Sequence, residues 1–268
     1  MELSIIILNY NSKDYLLPAL LGIAENTRDL SYEVIIVDNH STDSSVDYIE
    51  RKIIPRFENV RLVATPANRG YAAGNNLGIK EASGKYIAVM NADIVIWDNA
   101  LHKITQFMER HPQVGLAGPK LVLPDGGLQY FCYRFPSPAV LVYRRTPLAR
   151  FKFAARAIGR YLMTDWDHLD SQPVDWLQGS FLVARRRALE AVGLMDERYF
   201  LFLEDTDWCR RFWRAGWQVW YYADAEVVHY HNRASDTGKF YKSLFNKMTW
   251  IHLGSAWRYF RKWGWGSN

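Results

Sequence analysis

The stretch that decides the fold is Gly84–Trp97, GKYIAVMNADIVIW. Tyr86 to Met90 is apolar without alternation, which predicts a short strand buried on both faces, as in a parallel sheet. It runs into Asn91-Ala92-Asp93 and then a second apolar run. Ligands of open α/β sheets bind outside the carboxyl ends of the strands, so an acid at this point has two readings. Asp93 is a plain turn residue, or it holds a divalent cation that in turn holds a nucleotide diphosphate.

Upstream, the same pattern repeats. Residues 3–8 predict a strand that ends at Asn9-Tyr10-Asn11, with Asn11 as a candidate helix cap. Residues 32–37 predict a second strand, ending at Asp38-Asn39, and residues 60–63 a third. The loop 65–71 carries Asn68-Arg69-Gly70 and opens a helix with Asn75 in its first turns. Four strand–helix alternations with short connections predict a doubly wound, mostly parallel sheet flanked by helices. Four polar clusters then converge on one sheet edge, where Asp38 suits a base N–H, Asn9 a base or ribose, and the helix start an anion. Asn, Asp and Gly are also ordinary turn residues.

Downstream the spacing predicts a helix over 98–110, a hairpin over 115–130 and a strand over 174–184. A short helix over 185–193 follows, then a helix over 205–215 closed by Gly216. Two strands, 218–222 and 225–230, and a helical tail over 240–263 complete the pattern. Residues 131–172 are basic and aromatic, and read as a variable, mobile loop with a short amphipathic helix. The domain reading is a nucleotide-binding half at 1–97, an acceptor and catalytic half at 98–236, and a tail at 237–268.

Glu204-Asp205-Thr206-Asp207 follows an apolar run and begins a helix. Acids stabilise helix starts, and Asp205 could be only a cap. Three carboxylates in four residues exceed what a cap needs, which favours Asp205 as a general base that the helix start keeps ionised. His229 and His231 share one face of the last strand. Either could complete a metal site, or both could be structural. The oxygen-rich donor set favours Mg²⁺ or Mn²⁺.

With 268 residues, 49% hydrophobic and 23% charged, the chain has the composition of an ordinary globular protein. The net charge of +5 permits phosphate or anionic-lipid partners without selecting one. Cys132 and Cys209 form no CxxC, so neither a zinc site nor a disulfide framework is indicated. The start of the chain reads as a strand, not a signal peptide, and no apolar run reaches the roughly 18 residues that span a bilayer. The expected location is cytoplasmic. The tail mixes aromatic and basic residues and either lies on the inner face of a membrane or packs on the domain. There is no G-x-G-x-x-G after the first strand and no G-x-x-x-x-G-K-[ST].

SIIILNYNSKDYL, VIIVDNHSTDSS, NRGYAAGNNLGIKEASGKYIAVMNADIVI, WLQGSFLVARR and FLFLEDTDWCRRFWRAGWQVWYYADAEVVHYH occur in that order. Together they resemble a family 2 inverting glycosyltransferase with the GT-A fold, in its rhamnosyltransferase-like branch. The resemblance implies a nucleotide-sugar donor, either deoxythymidine-diphosphate rhamnose or a uridine-diphosphate sugar, and a glycan or lipid-linked acceptor. It implies a nucleotide site at Asn9, Tyr10, Asp38, Asn39, Asn68, Gly70, Asn75, Asn91 and Asp93. It makes Asp205 the base, with Glu204 beside it, and Asp93 and His229 the metal ligands, with His231 as alternative. Trp176, Gln178 and Gly179 would line the sugar and acceptor site. Asn91 stands where the family's DxD has its first acid, and QxxRW is missing, which points to one sugar per encounter. A sugar-phosphate nucleotidyltransferase and a basic membrane- or nucleic-acid-binding module are the rivals. The acids at 38, 93 and 204–207 speak against nucleic acid.

Overall fold

The computed structural model describes residues 1–230 and 246–265. The chain opens with β1 (Leu3–Asn9), α1 (Lys13–Asn26), β2 (Tyr32–Asp38), α2 (Ser45–Tyr48), β3 (Val60–Ala64) and α3 (Tyr71–Glu81). β4 (Tyr86–Asn91), β5 (Ile94–Ile96), α4 (Ala100–Arg110), β6 (Val114–Val122), β7 (Leu128–Gln129) and β8 (Cys132–Tyr133) follow. Next come α5 (Pro138–Tyr143), α6 (Lys152–Leu162), β9 (Gln172–Pro173), β10 (Trp176–Leu177) and β11 (Phe181–Arg185). α7 (Arg186–Val192), α8 (Glu204–Arg214), β12 (Gln218–His229) and a tail helix (Lys247–Trp263) complete it.

The main sheet runs β3-β2-β1-β4-β11-β6-β12-β5. β1 pairs in parallel with β2 and β4, and β2 with β3, as the unbroken apolar runs require. Ile5 to Ile7, Val34 to Val37 and Ile87 to Met90 are all buried. The winding reverses at β1, so the carboxyl ends of β1 and β4 meet at the switch point. α3 lies flush on this sheet, because a Cβ at Gly78 would stand 2.5 Å from the Ile6 side chain. β11 inserts antiparallel between β4 and β6, while β12 runs parallel to β6.

Several local expectations change. Of the four strand–helix alternations, the helix between β2 and β3 is one short turn, α2, that continues as a π turn, Ile49–Ile53, and a 3₁₀ turn, Ile54–Arg56. Pro55 lacks the N–H that an α-helix would need there. Asn11 does not cap α1: it takes a positive φ, and its Oδ1 accepts from Thr42 N at 2.7 Å. Residues 131–172 are not a loop with one helix. α5 forms where Ser137 Oγ accepts from Val140 N and Pro138 pre-sets the first turn, and α6 follows. The strand over 174–184 breaks at Gln178–Ser180 into β10 and β11. The two last strands are one, β12, with an irregularity between Tyr222 and Glu226.

The tail helix packs on the domain. Tyr259 and Phe260 join Tyr199 and Leu203 in a small core beside α8. His231 and residues 240–245 of the sequence-based tail lie outside the described residues.

Candidate active site

Asp93 sits between β4 and β5, and His229 closes β12. β12 pairs antiparallel with β5 in the register His229↔Ile94, which sets the two side chains beside each other. Asp93 Oδ1 is 3.3 Å from His229 Nε2. Tyr230 N donates to Asp93 O at 2.9 Å and closes the corner. On the other side of the imidazole, Nδ1 lies 2.9 Å from Gln129 Oε1. With that oxygen accepting, Nδ1 carries the proton and Nε2 turns its lone pair toward the carboxylate.

This donor set fits a divalent cation. Two ligand atoms bound at about 2.1 Å and at right angles stand roughly 3 Å apart, close to the spacing seen here. Asp93 Oδ1 is buried and accepts no hydrogen bond. Among the described residues no group of three or more His, Cys, Asp or Glu is placed to hold a metal. Among the described residues, Asp93 and His229 are the two ligands at this point.

The second centre is the start of α8. Leu203, with φ of 67°, is the residue before the helix, so the helix begins at Glu204 and not at Asp205. Asp205 Oδ2 accepts from Gly179 N at 2.8 Å, and Oδ1 from Thr206 N at 2.7 Å. Burial raises the pKa of Asp205, partly offset by those two amide donors. The sequence expectation of an acid kept ionised by the helix start alone thus misses the dominant effect, desolvation. Glu204 is 4% exposed, and its Oε2 has no hydrogen-bond partner. Burial, then the neighbouring Asp205, pushes its carboxyl well above the usual range.

A short path joins the centres. Asn91 N at the end of β4 donates to Ser180 O at 2.9 Å, and Ser180 follows Gly179. Tyr71 Oη donates to Gly179 O. Burial, then Glu204, Asp205 and Asp93, raises the Tyr71 phenol. Tyr71 N also donates to Phe200 O at 2.7 Å. Gly70, with φ of +96°, lets these backbones meet: a Cβ there would lie 2.2 Å from Phe200 O.

The remaining residues fall into two groups. Asp38 is buried; its Oδ2 accepts from Asn9 Nδ2 at 2.7 Å and its Oδ1 from Ser41 N at 2.9 Å. Asn39 Nδ2 donates to Asn68 Oδ1 at 3.0 Å and to Gly70 O at 3.2 Å. The buried oxygens Asn9 Oδ1, Asn39 Oδ1 and Asn75 Oδ1 have no hydrogen-bond partner, and Tyr10 is exposed. Trp176 is buried, its ring is tilted against that of Tyr133, and its Nε1 donates to Arg134 O at 2.8 Å. Gln178 N donates to Phe131 O at 2.8 Å, and Gly179 lies against Asp205.

Sequence reasoning missed Gln129, Tyr71 and the partners of Asp207. Asp207 is fully buried, and accepts from Arg211 Nε at 3.0 Å, Lys262 Nζ at 2.9 Å and Trp263 Nε1 at 2.7 Å. An acid three residues into a helix, with Arg four residues on, was a usable signal for the first pair. Nothing local announced the tail or Gln129.

The profile of Glycosyl transferase family 2 matches residues 4–159, more than half of the chain, and that of Glycosyl transferase family group 2 matches residues 86–268. An N-acetylglucosaminyl-diphospho-decaprenol L-rhamnosyltransferase of Mycobacterium tuberculosis (strain ATCC 25618 / H37Rv) is 31% identical over 242 residues, 82% of this chain and 74% of its own length. A poly(ribitol-phosphate) beta-glucosyltransferase of Bacillus spizizenii is 34% identical over 113 residues, 41% of this chain and 18% of its own. Among solved structures, GalNAc-T7 with UDP, GalNAc and Mn²⁺ superposes with a TM-score of 0.65 at 13% identity, over 91% of this chain and 47% of that one. S. aureus TarS 1–349 in complex with UDP gives 0.57 at 18%, over 87% and 61%. The chain thus spans about half and about three fifths of those two structures, and the likeness speaks for the fold. The expected mixed sheet is the GT-A fold, and both sequence-based rivals are set aside: the chain belongs to glycosyl transferase family 2 and is a glycosyltransferase.

Proposed function

We propose that the protein transfers one sugar per encounter from a nucleoside-diphosphate sugar to a hydroxyl of a glycan or lipid-linked acceptor, with inversion at the anomeric carbon. The observation that carries this is the approach of two differently built acidic centres across Asn91, Ser180 and Gly179. One is an acid–imidazole pair suited to a cation; the other is a buried carboxylate suited to a proton.

Asp93 and His229 would hold Mg²⁺ or Mn²⁺, which supplies neutralisation of the charge that develops on the departing diphosphate. Gln129 keeps the His229 ring turned with Nε2 toward Asp93. Asp38, Asn9, Asn39, Asn68, Gly70, Asn75 and Asn91 surround the nucleotide at the switch point, where the unpartnered amide oxygens of Asn9, Asn39 and Asn75 await donors. Asp205 removes the proton from the acceptor hydroxyl as its oxygen attacks the anomeric carbon. The bond to the diphosphate breaks on the opposite face, and one displacement inverts the centre. Gly179 N and Thr206 N fix the carboxylate while it does so. Trp176, Gln178 and Gly179 form the wall on the sugar side.

The rhamnosyltransferase relative makes a deoxythymidine-diphosphate rhamnose donor the first to test. The proposed place of work is the cytoplasmic face of a membrane, with the tail as the contact. Incubation with a panel of nucleotide sugars and Mn²⁺ or Mg²⁺, followed by NMR of the product's anomeric configuration, tests the reading. A product that retains the donor's configuration would overturn the single displacement.

A further inference from the structure

Two segments far apart in sequence leave large apolar side chains in solvent. Trp250 is 64% and Trp257 53% exposed on the tail helix, while Phe151 and Phe153, around the start of α6, are 56% and 59% exposed. Single exposed apolar residues need no explanation, but these lie on neighbouring elements. Leu141 of α5 packs into the core that Tyr259 and Phe260 of the tail helix share with Tyr199 and Leu203. The Phe153 ring is 5.6 Å from that of Tyr143 at the end of α5 and 5.9 Å from that of Phe151. Burial, then Arg145 and Arg144, lowers the pKa of His252 on the tail helix to about 4, so those guanidinium groups also border it.

The charge on both segments has one sign. Residues 126–164 and 246–265 contain no Asp or Glu, while Arg150, Lys152 and Arg156 are exposed on the first and Arg261 on the second. We infer that α5, the start of α6 and the tail helix form one docking surface for an anionic lipid bilayer. Phe151, Phe153, Trp250 and Trp257 enter the boundary between headgroups and acyl chains, and the basic residues face lipid phosphates. The aliphatic Val142 of α5, Leu148 between α5 and α6, and Leu253 of the tail helix are also exposed. They gain from an acyl boundary, whereas they offer no stacking face to nucleic-acid bases.

The surface is one loop from the proposed base. Ser255 Oγ of the tail helix donates to Leu201 O at 2.9 Å, and the loop that holds Leu201 continues into Glu204 and Asp205. A lipid-linked acceptor would reach Asp205 from this side; that step rests on the function proposed above, while the docking itself does not.

Flotation of the full chain with vesicles containing phosphatidylglycerol, and with phosphatidylcholine vesicles alone, tests the surface. Binding to the anionic vesicles is expected, weakening as salt rises. The pairs Phe151→Ser with Phe153→Ser, and Trp250→Ser with Trp257→Ser, should each lower partitioning about tenfold with unchanged thermal unfolding. Equal binding to neutral vesicles, or unchanged flotation of either pair, overturns the proposal. So does self-association or oligonucleotide binding that is lost in these variants while wild type fails to float. Transfer to a water-soluble acceptor, measured in parallel, separates the two ideas: its absence in a protein that floats defeats the enzymatic reading alone.

Discussion

Asp93 Oδ1 and His229 Nε2 stand 3.3 Å apart because β12 ends antiparallel against β5, with His229 opposite Ile94. Two lone pairs at this spacing repel unless a positive charge lies near them, and Gln129 holds the ring so that Nε2 faces the acid. Asp93→Ala and His229→Ala should therefore each remove most Mn²⁺ binding in the presence of a nucleoside diphosphate. Gln129→Leu should weaken it by about 10- to 100-fold, the usual effect of losing the partner of a ligating histidine. Electron paramagnetic resonance of free Mn²⁺ reads this without any turnover. Unchanged affinity in Asp93→Ala would show that the cation sits elsewhere.

Asp205→Asn keeps an acceptor for only one of the two amides, Gly179 N or Thr206 N, and cannot take a proton. Transfer should fall by about 10²–10⁴-fold while nucleotide binding persists. Because burial raises the Asp205 pKa, kcat/KM should climb with pH through an inflection above the ordinary aspartate value of about 3.9. Titration of the variant with nucleotide, beside a wild-type pH–rate profile, checks both halves.

Glu204 makes a separate claim on stability. Its carboxyl keeps its proton in the folded protein to a higher pH than in the unfolded chain. Below an ordinary Glu pKa of about 4.3 both states are protonated and this difference is fully favourable; it is lost as pH rises toward the folded value. Glu204→Gln cannot ionise, so its melting temperature should gain on wild type between pH 4 and pH 8. Parallel melting curves across that range would contradict the raised pKa.

Asp207 receives Arg211, Lys262 and Trp263 in full burial. Asp207→Ala leaves two cations without their shared partner, which should cost about 3–5 kcal/mol in urea unfolding. Lys262→Met, on the partly exposed side, should cost less. The same clamp holds the tail against the helix that carries the proposed base, so a loosened tail should lower kcat more than it changes nucleotide affinity.

Gly70→Ala tests the contact between the two halves of the site. The residue has φ of +96°, and a methyl would meet the Phe200 carbonyl at 2.2 Å. The loop before Glu204 must shift, and the loss should exceed the roughly 1 kcal/mol of a simple left-handed strain. A variant with wild-type melting and wild-type turnover would show that this loop is not held in place by Gly70.

The alternation of unbroken apolar runs with helix-like spacing is enough to determine the parallel half of the sheet, because those signals are local. The polar ends of β1, β2 and β4 were legible for the same reason: a strand buried on both faces makes its first polar residue conspicuous. Ser137-Pro138 also holds a helix start that the basic, aromatic composition of 131–172 hides. What no local pattern contains is pairing between distant segments. Only the tertiary structure inserted β11 antiparallel between β4 and β6, broke the chain at Gln178–Ser180 so that Gly179 N reaches Asp205, and brought Gln129 behind His229. It also decided that burial, more than the helix start, governs the Asp205 proton, since desolvation belongs to the assembled surroundings and not to the residue.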